Sequence, residues 1–294
     1  MDAYETLIAR VVEKGGTAVA LGGMDSGKTT FCKMVAAVAV RVGRTVAYVD
    51  TDVGQTTVGP PTTIGLKYIR EDSDLTSEGL SRPDQIYFVG DTSPQGHLLP
   101  LVVGSSKLTE EARRAGAEVI LVDTTGLIGG TLGQILKFHK LEALRPDWVI
   151  GFQRGEELEP ILGIVRRTMP VEVECMPIPD GVRITNVDER IANRREKLKA
   201  FFEPPVHRWK VKSSVFLPQL PPDVDPAKLD GLLVGMEDGK GTCMGLGILE
   251  YREDGLKMIS TVAEGAKALR VGSTKVTADF DTHRIDLREL FVSD

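Results

Sequence analysis

The sequence predicts an α/β fold, a parallel sheet flanked by helices, with a small β-rich C-terminal domain. Three observations carry this. Short apolar runs alternate with helical text as far as about Phe202. A glycine-rich turn joins the first of those runs to the first of those helices. Beyond that point the text changes to brief apolar runs broken by Gly and Asp-Gly turns.

Taken in order, "TAVAL" at residues 17–21 is a strand that ends in the glycine-rich turn. Lys28 to Val42 reads as a helix of small and apolar residues closed by Gly43. "RTVAYVD" (44–50), "AEVILVD" (117–123) and "PDWVIGF" (146–152) are further strands, each bounded by polar or helical text. "LGQILKFHKLEAL" (132–144) has helical spacing between two of them. Strands alternating with helices imply a parallel sheet covered on both faces. "FFEPPVHRW" and "FLPQLPPDVDP" are proline-rich, and "GLLVGMEDGKGTCMGLGILEYREDGLKMISTVAEG" reads as antiparallel hairpins. The expected domains are therefore residues 1–205 and 206–294.

The chain of 294 residues carries a net charge of -6 and is 41% hydrophobic, ordinary values for a globular protein. That charge argues against a surface coated in cations but leaves room for a local basic groove. Lys67, Arg70, Lys137, Lys140, Arg166 and Arg167 are candidates for one, with solvated surface the competing reading of each. His97 and His139 read as surface or supporting residues. Cys32, Cys175 and Cys243 are few and far apart, which fits buried free thiols and neither a disulfide framework nor a zinc site. "MDAYETLIARVVEKGG" lacks the layout of a signal peptide, and no apolar run is long enough to span a bilayer. A cytoplasmic protein with no membrane association is expected.

Gly22-Gly23-Met24-Asp25-Ser26-Gly27-Lys28-Thr29, followed by Thr30, fits G-x-x-x-x-G-K-[ST] between a strand and a helix. Glycines let successive N–H groups converge on phosphate oxygens, and the helix N-terminus adds partial positive charge. Lys28 can reach the outer phosphates and the Thr29 hydroxyl can ligate Mg²⁺. This is a P-loop NTPase cradle, and a nucleoside triphosphate is its expected ligand.

"YVDTDVGQTT" (48–57) runs a strand into Asp50 and Asp52, both on one edge. Ligands of such sheets lie at the carboxyl ends of strands, so these acids belong near Lys28. A carboxylate there can hold Mg²⁺ or take a proton from an attacking hydroxyl. "VILVDTTGLIGG" (119–130) ends a strand on Asp123, the usual metal-assisting acid, and continues into a polar turn of Thr124, Thr125 and Gly126. "DERIANRREKLKA" (188–200) sets Arg190 and Arg194 four apart with Arg195 beside them. Arginine forks suit phosphate oxygens. A salt-bridged, solvated helix face is the alternative, since Asp188, Glu189 and Glu196 are nearby.

Together "GMDSGKTT", "DTDVGQ", "TTGL" and the R-x-x-x-R segment before "FF" resemble the polynucleotide 5′-hydroxyl kinase family. These are P-loop RNA kinases of pre-mRNA 3′-end, transfer RNA and ribosomal RNA processing, with shorter archaeal relatives. The family's D-x-D-x-G-Q pattern is met by Asp50, Asp52, Gly54 and Gln55, and "FVGDTSPQGH" resembles its F-G-x-T-x-P-x-G segment with Val89 inserted. The resemblance implies ATP and Mg²⁺ on residues 22–30, with Thr29, Asp50 and Asp123 about the metal. It implies Asp52 as the general base, and Gln55, Thr92, Thr124, Thr125 and Gly126 on the acceptor side. Lys28, Arg190 and Arg194 would neutralise charge in the transfer, the arginines as a lid. The implied acceptor is the 5′-hydroxyl end of RNA, with DNA left open. Two departures stand out: Leu127 replaces a frequent family Trp, and the arginine spacing leaves Arg195 as a second choice for Arg194. Rival readings are a nucleotide-hydrolysing regulator, an ATP-bound scaffold subunit without kinase activity, and a small-molecule kinase.

Overall fold

A computed structural model of the chain describes residues 3–179, 181–203 and 205–291. The order begins α1 (Ala3–Lys14), β1 (Gly16–Gly22), α2 (Lys28–Arg41), β2 (Val46–Thr51), β3 (Thr63–Ile69), α3 (Ser77–Ser81) and β4 (Gln85–Phe88). It continues α4 (Leu98–Arg114), β5 (Val119–Thr124), α5 (Gly130–Leu144), β6 (Trp148–Gln153), α6 (Glu159–Thr168) and β7 (Glu172–Pro177). Then come α7 (Val187–Phe201), β8 (His207–Lys210), β9 (Phe216–Leu217), β10 (Leu232–Glu237), β11 (Cys243–Arg252), β12 (Gly255–Ser260), β13 (Ala268–Val276), β14 (Thr282–Arg284) and α8 (Arg288–Phe291). Among the described residues, no helix is long and apolar enough to cross a membrane.

The chain divides into two compact units. The first comprises Met1–Gly59, Ile64–Gln85 and Ser93–Thr185, and the second Pro60–Thr63, Ile86–Thr92 and Asn186–Asp294. Helix α7 thus falls in the second unit, whereas the sequence reading drew its boundary after it, near residue 205. Two short segments from early in the chain also join the second unit.

In the first unit the strand order is β3-β2-β5-β1-β6-β7. All neighbours run parallel except β3, which lies antiparallel to β2. The expected strands form because β1, β2, β5 and β6 are nearly continuous apolar text, and a sheet covered by helices on both faces buries all their residues except Gly16 and Gln153 at the ends. The N-terminal stretch, which has no element in the sequence reading, is the amphipathic helix α1. It buries Leu7, Ile8, Val11 and Val12 against a core that includes Phe31, Val35, Leu121, Trp148 and Phe152.

Register fixes the site. Ala20 lies opposite Asp123 across β1 and β5, and Asp50 and Thr51 lie opposite Asp123 and Thr124 across β2 and β5. The carboxyl ends of three strands are therefore level, and each runs straight into one of the three motifs.

The second unit is mainly antiparallel. β10 pairs with β11 and β13, β12 pairs with β11 and β8, and β14 pairs with β13. This matches the hairpins expected from the Gly and Asp-Gly turns. Leu232, Val234, Met236, Leu249, Met258 and Leu269 fill one side of its core. Leu198 of α7 and Phe202, which caps that helix, pack with Phe88, Leu233 and Leu246 on another.

Candidate active site

The loop between β1 and α2 turns on Gly27, whose φ of 87° lies in the left-handed region that glycine adopts without strain. Gly27 caps α2, so the helix opens at Lys28 with its first N–H groups directed at the loop. The Lys28 ammonium donates to the Gly23 carbonyl at 2.5 Å and to Ser26 Oγ at 3.2 Å. Asp25 accepts from the Thr185 backbone N–H at 3.0 Å, which ties the loop to the end of the first unit. A cleft of about 860 Å³ opens over this loop. Met24 to Phe31 line it, together with Asp52, Gln55, Thr57, Tyr4, Met34, Pro179 and Gly181 to Arg183.

Asp52 leaves the end of β2 half-buried, and its Oδ1 accepts from the Gly54 N–H at 2.9 Å and the Gln55 N–H at 3.2 Å. That Asx turn presents the carboxylate to the same cleft as Lys28 and Thr29. Asp50 does different work. Its Oδ1 accepts from the Asp52 N–H, and its Oδ2 accepts from the Thr57 N–H, the Thr57 hydroxyl and the Val58 N–H. Its carboxylate thus holds the 52–58 loop closed from beneath. Burial, with Asp123 adding to it, pushes the Asp50 carboxyl up to about 7, against the backbone donors that pull it down.

Asp123 is buried at the end of β5. Its Oδ2 accepts from the Thr29 and Tyr48 hydroxyls. Its Oδ1 is buried with no hydrogen-bond partner among the described residues. Burial raises its carboxyl, while Lys28 and Thr29 pull it down. An orphaned buried carboxylate oxygen costs about 1–3 kcal/mol or more. A hard cation ligated by Thr29 and Asp123 would satisfy it, so the residues present fit a Mg²⁺ held by one or two side chains and a triphosphate.

The 124–126 turn packs on the phosphate loop. A Cβ on Gly126 would lie 2.6 Å from the Met24 backbone nitrogen, so only glycine permits this approach. The Thr124 hydroxyl donates to the Ala20 carbonyl at 2.7 Å. Thr125 is buried beside it, and Leu127 follows half-buried.

Lys28, Thr29, Asp52 and Gln55 therefore share one cleft, with Asp50, Asp123, Thr124 and Thr125 buried at the strand ends. Thr92, Arg190 and Arg194 are carried by the second unit. Within that unit, neighbouring Thr92, Asp91 is buried and accepts from Ser273 at 2.9 Å and pairs with Arg284 at 3.0 Å. Burial and then Arg190 lower the Arg194 guanidinium, with Asp91 pulling the other way. Arg195 instead pairs with Asp281 at 3.5 Å.

Some sequence expectations need correction. Lys137 and Lys140 are not surface cations: both are buried, with relative exposures of 0% and 1%. Their signal was present, because Gly133, Lys137, Lys140, Leu141 and Leu144 recur at helical spacing on one buried face of α5. Lys67 is also buried, 3.7 Å from both Asp74 and Asp84. Arg70 pairs with Asp84 and Arg166 with Glu159, so neither is a spare cation. Cys175 is exposed, unlike Cys32 and Cys243, because it lies on β7, the last strand in the sheet order of the first unit. His139 is on the surface beside Glu142, whereas His97 is buried at the start of α4.

Comparison with known proteins adds a family. The model described as "mRNA cleavage and polyadenylation factor CLP1 P-loop" matches residues 22–204. The chain is 29% identical to a polyribonucleotide 5′-hydroxyl-kinase of Pyrococcus horikoshii, over 91% of this chain and 88% of the relative. It is 30% identical to the one of Thermococcus kodakarensis, over 90% of this chain and 89% of the relative. A solved structure of wild-type Clp1p with Pcf11p superposes with a TM-score of 0.70 at 14% identity, covering 92% of this chain and 77% of that one. At that identity the likeness shows a common fold.

Proposed function

Because the chain belongs to the CLP1 P-loop family, we propose that it is an ATP-dependent polynucleotide 5′-hydroxyl kinase acting on the 5′ ends of RNA. One observation carries the reading: the Asp52 carboxylate and the Lys28–Thr29 pair line the same cleft. The similarity to archaeal polyribonucleotide 5′-hydroxyl-kinases along nine-tenths of the chain supports it.

In this mechanism the phosphate loop, residues 22–30, cradles the triphosphate with its N–H groups. Lys28 exchanges its contact with the Gly23 carbonyl for the outer phosphate oxygens. Thr29 and Asp123 would hold Mg²⁺, which when bound would supply Lewis-acid stabilisation of the phosphoryl charge. Asp50 supports that region by fixing the loop that bears Asp52. Asp52 takes the proton of the incoming 5′-hydroxyl as its oxygen bonds to the γ-phosphorus. The bond from that phosphorus to the bridging oxygen breaks, and the diphosphate leaves. Gln55, Thr92 and the Thr124–Thr125–Gly126 turn are assigned to the acceptor end. Arg190 and Arg194 are assigned as lid arginines, with Arg195, which pairs with Asp281, the second choice for Arg194. The cofactors of this reading are ATP and Mg²⁺.

The test is transfer of labelled γ-phosphate to 5′-hydroxyl RNA and DNA oligonucleotides and to free nucleosides. Label on oligonucleotide 5′ ends is expected, with the RNA-to-DNA ratio reporting acceptor preference. Triphosphate hydrolysis that is equal with and without oligonucleotide would instead mark a nucleotide-hydrolysing regulator. Label on nucleosides alone would mark a small-molecule kinase.

A further inference from the structure

Two lysines that the mechanism leaves unused lie directly beneath the three motif-bearing strand ends. Lys137 donates from Nζ to the Thr124 hydroxyl oxygen at 2.9 Å and to the Thr125 carbonyl. Lys140, one turn further along α5, donates to the Thr51 hydroxyl oxygen at 2.9 Å. Each of those hydroxyls then donates onward across the sheet, Thr124 to the Ala20 carbonyl at 2.7 Å and Thr51 to the Asp123 carbonyl at 2.8 Å. The outcome is a pair of relays, Lys137–Thr124–Ala20 and Lys140–Thr51–Asp123. Their joints are the residue before Asp52, the residue after Asp123 and the strand that feeds the phosphate loop.

Burying an ammonium carries a large desolvation cost, which an apolar side chain of similar length would avoid. Burial pushes the Lys137 ammonium well down, and Lys140 and Lys28 push the same way against Asp52 and Asp123. Burial likewise lowers Lys140 to about 8, with Asp52, Asp50 and Asp123 holding it up. Core packing alone gives no reason to carry two such groups in contact with the site. Their hydrogen-bond partners do: each lysine sets a threonine rotamer, and each threonine locks one strand end to the next.

We propose that Lys137 and Lys140 are positioning residues for phosphoryl transfer, acting through Thr124 and Thr51 to hold the acceptor turn and the Asp52 strand end in register with the phosphate loop. The inference rests on the kinase reading above. Neither lysine touches the reacting atoms. Lys137 governs the turn that abuts Met24, and Lys140 governs the approach of Asp52. A displacement of about 1 Å at such groups is worth roughly 100-fold in rate.

The test uses the full chain with Lys137→Met, Lys140→Met, Thr124→Val and the double variant of Lys137 and Thr124. Each lysine variant should lower kcat by about 10- to 100-fold while KM for ATP moves less than about threefold. Adding Thr124→Val to Lys137→Met should cost little more than Lys137→Met alone, because the two residues form one relay. In nucleotide-free protein, amide hydrogen exchange should quicken at 124–126 in Lys137→Met and at 51–54 in Lys140→Met, with the rest of the sheet unchanged. Wild-type kcat in both lysine variants overturns the inference and leaves the kinase reading standing. So do effects of Lys137→Met and Thr124→Val that multiply. Unchanged exchange at both segments, or exchange that quickens throughout the sheet, also overturns it, and this arm reads the relays whether or not the protein transfers phosphate. Wild-type protein that transfers to no 5′-hydroxyl end overturns the kinase reading and the catalytic part of the inference together.

Discussion

The Thr29 hydroxyl donates to Asp123 Oδ2, joining the first turn of α2 to the end of β5. The second oxygen of Asp123 is left buried and unpartnered among the described residues. This pair is the element of the site most in need of a cation. Asp123→Asn removes the charge and keeps the shape. It is expected to raise the Mg²⁺ concentration for half-maximal transfer by about tenfold or more, as loss of a charged metal contact should. A Mg²⁺ titration of initial rates at saturating ATP checks this, and an unchanged midpoint would remove Asp123 from the metal site.

Asp52→Asn separates charge from shape. The asparagine oxygen still accepts from the Gly54 and Gln55 N–H groups, so the turn and the melting temperature should persist. The carboxylate proposed as general base is lost, and under the kinase reading kcat should fall by roughly 10²- to 10⁴-fold. Transfer rates alongside thermal melts decide it, and retained turnover would require another base.

Arg194 and Arg195 are neighbours with different surroundings, the first close to Asp91 and Arg190, the second paired with Asp281. Arg194→Ala is expected to reduce kcat by about 10²- to 10³-fold, the scale of losing one charge-stabilising donor. Arg195→Ala should change it by less than about twofold, since loss of an exposed ion pair costs little. Side-by-side single-turnover rates would expose a reversed assignment.

Gly126→Ala tests the seam between the 124–126 turn and the phosphate loop. The added Cβ meets the Met24 backbone at 2.6 Å, and neither backbone can yield cheaply. A loss of about 1–3 kcal/mol in stability is expected, as for other overpacked sites. ATP binding should weaken with it, because the loop is displaced. Denaturant melts and nucleotide titration on the same protein report both effects.

Lys140 gives the site a pH signature. Its folded pKa of about 8 lies below the ordinary 10.5, so between those values the unfolded chain holds a proton that the folded chain has released. Stability of nucleotide-free protein should therefore rise with pH across that window, by at most about 3 kcal/mol from this group. Lys140→Met should remove that part of the slope. Denaturant midpoints of both proteins from pH 7 to 10 check it, and parallel slopes would mean that Lys140 titrates normally.

Much of the site was written in the text. The phosphate loop, "DTDVGQ" and "DTTG" each follow a strand whose apolar run is unmistakable, and parallel sheets put ligands at carboxyl ends. The antiparallel hairpins of the second unit were equally legible from their Gly and Asp-Gly turns. Division of labour between the two acids of "DTD" was not. Asp50 and Asp52 are chemically identical, and only the fold directs one to the 52–58 loop and the other to the cleft.

Hydrophobic period and motif spacing are local properties of the chain, so the residues alone disclosed β1, α2, β2, β5, α5 and β6, the phosphate cradle and the acids at the strand ends. Tertiary packing settled which partners the buried Lys137 and Lys140 find at those motifs. It also decided that residues 60–63 and 86–92 join the second unit. Burial and partnership depend on strand register between segments far apart in the chain, as Ala18 and Trp148 are. A lysine in a helix has no means of announcing which threonine will be waiting across the sheet.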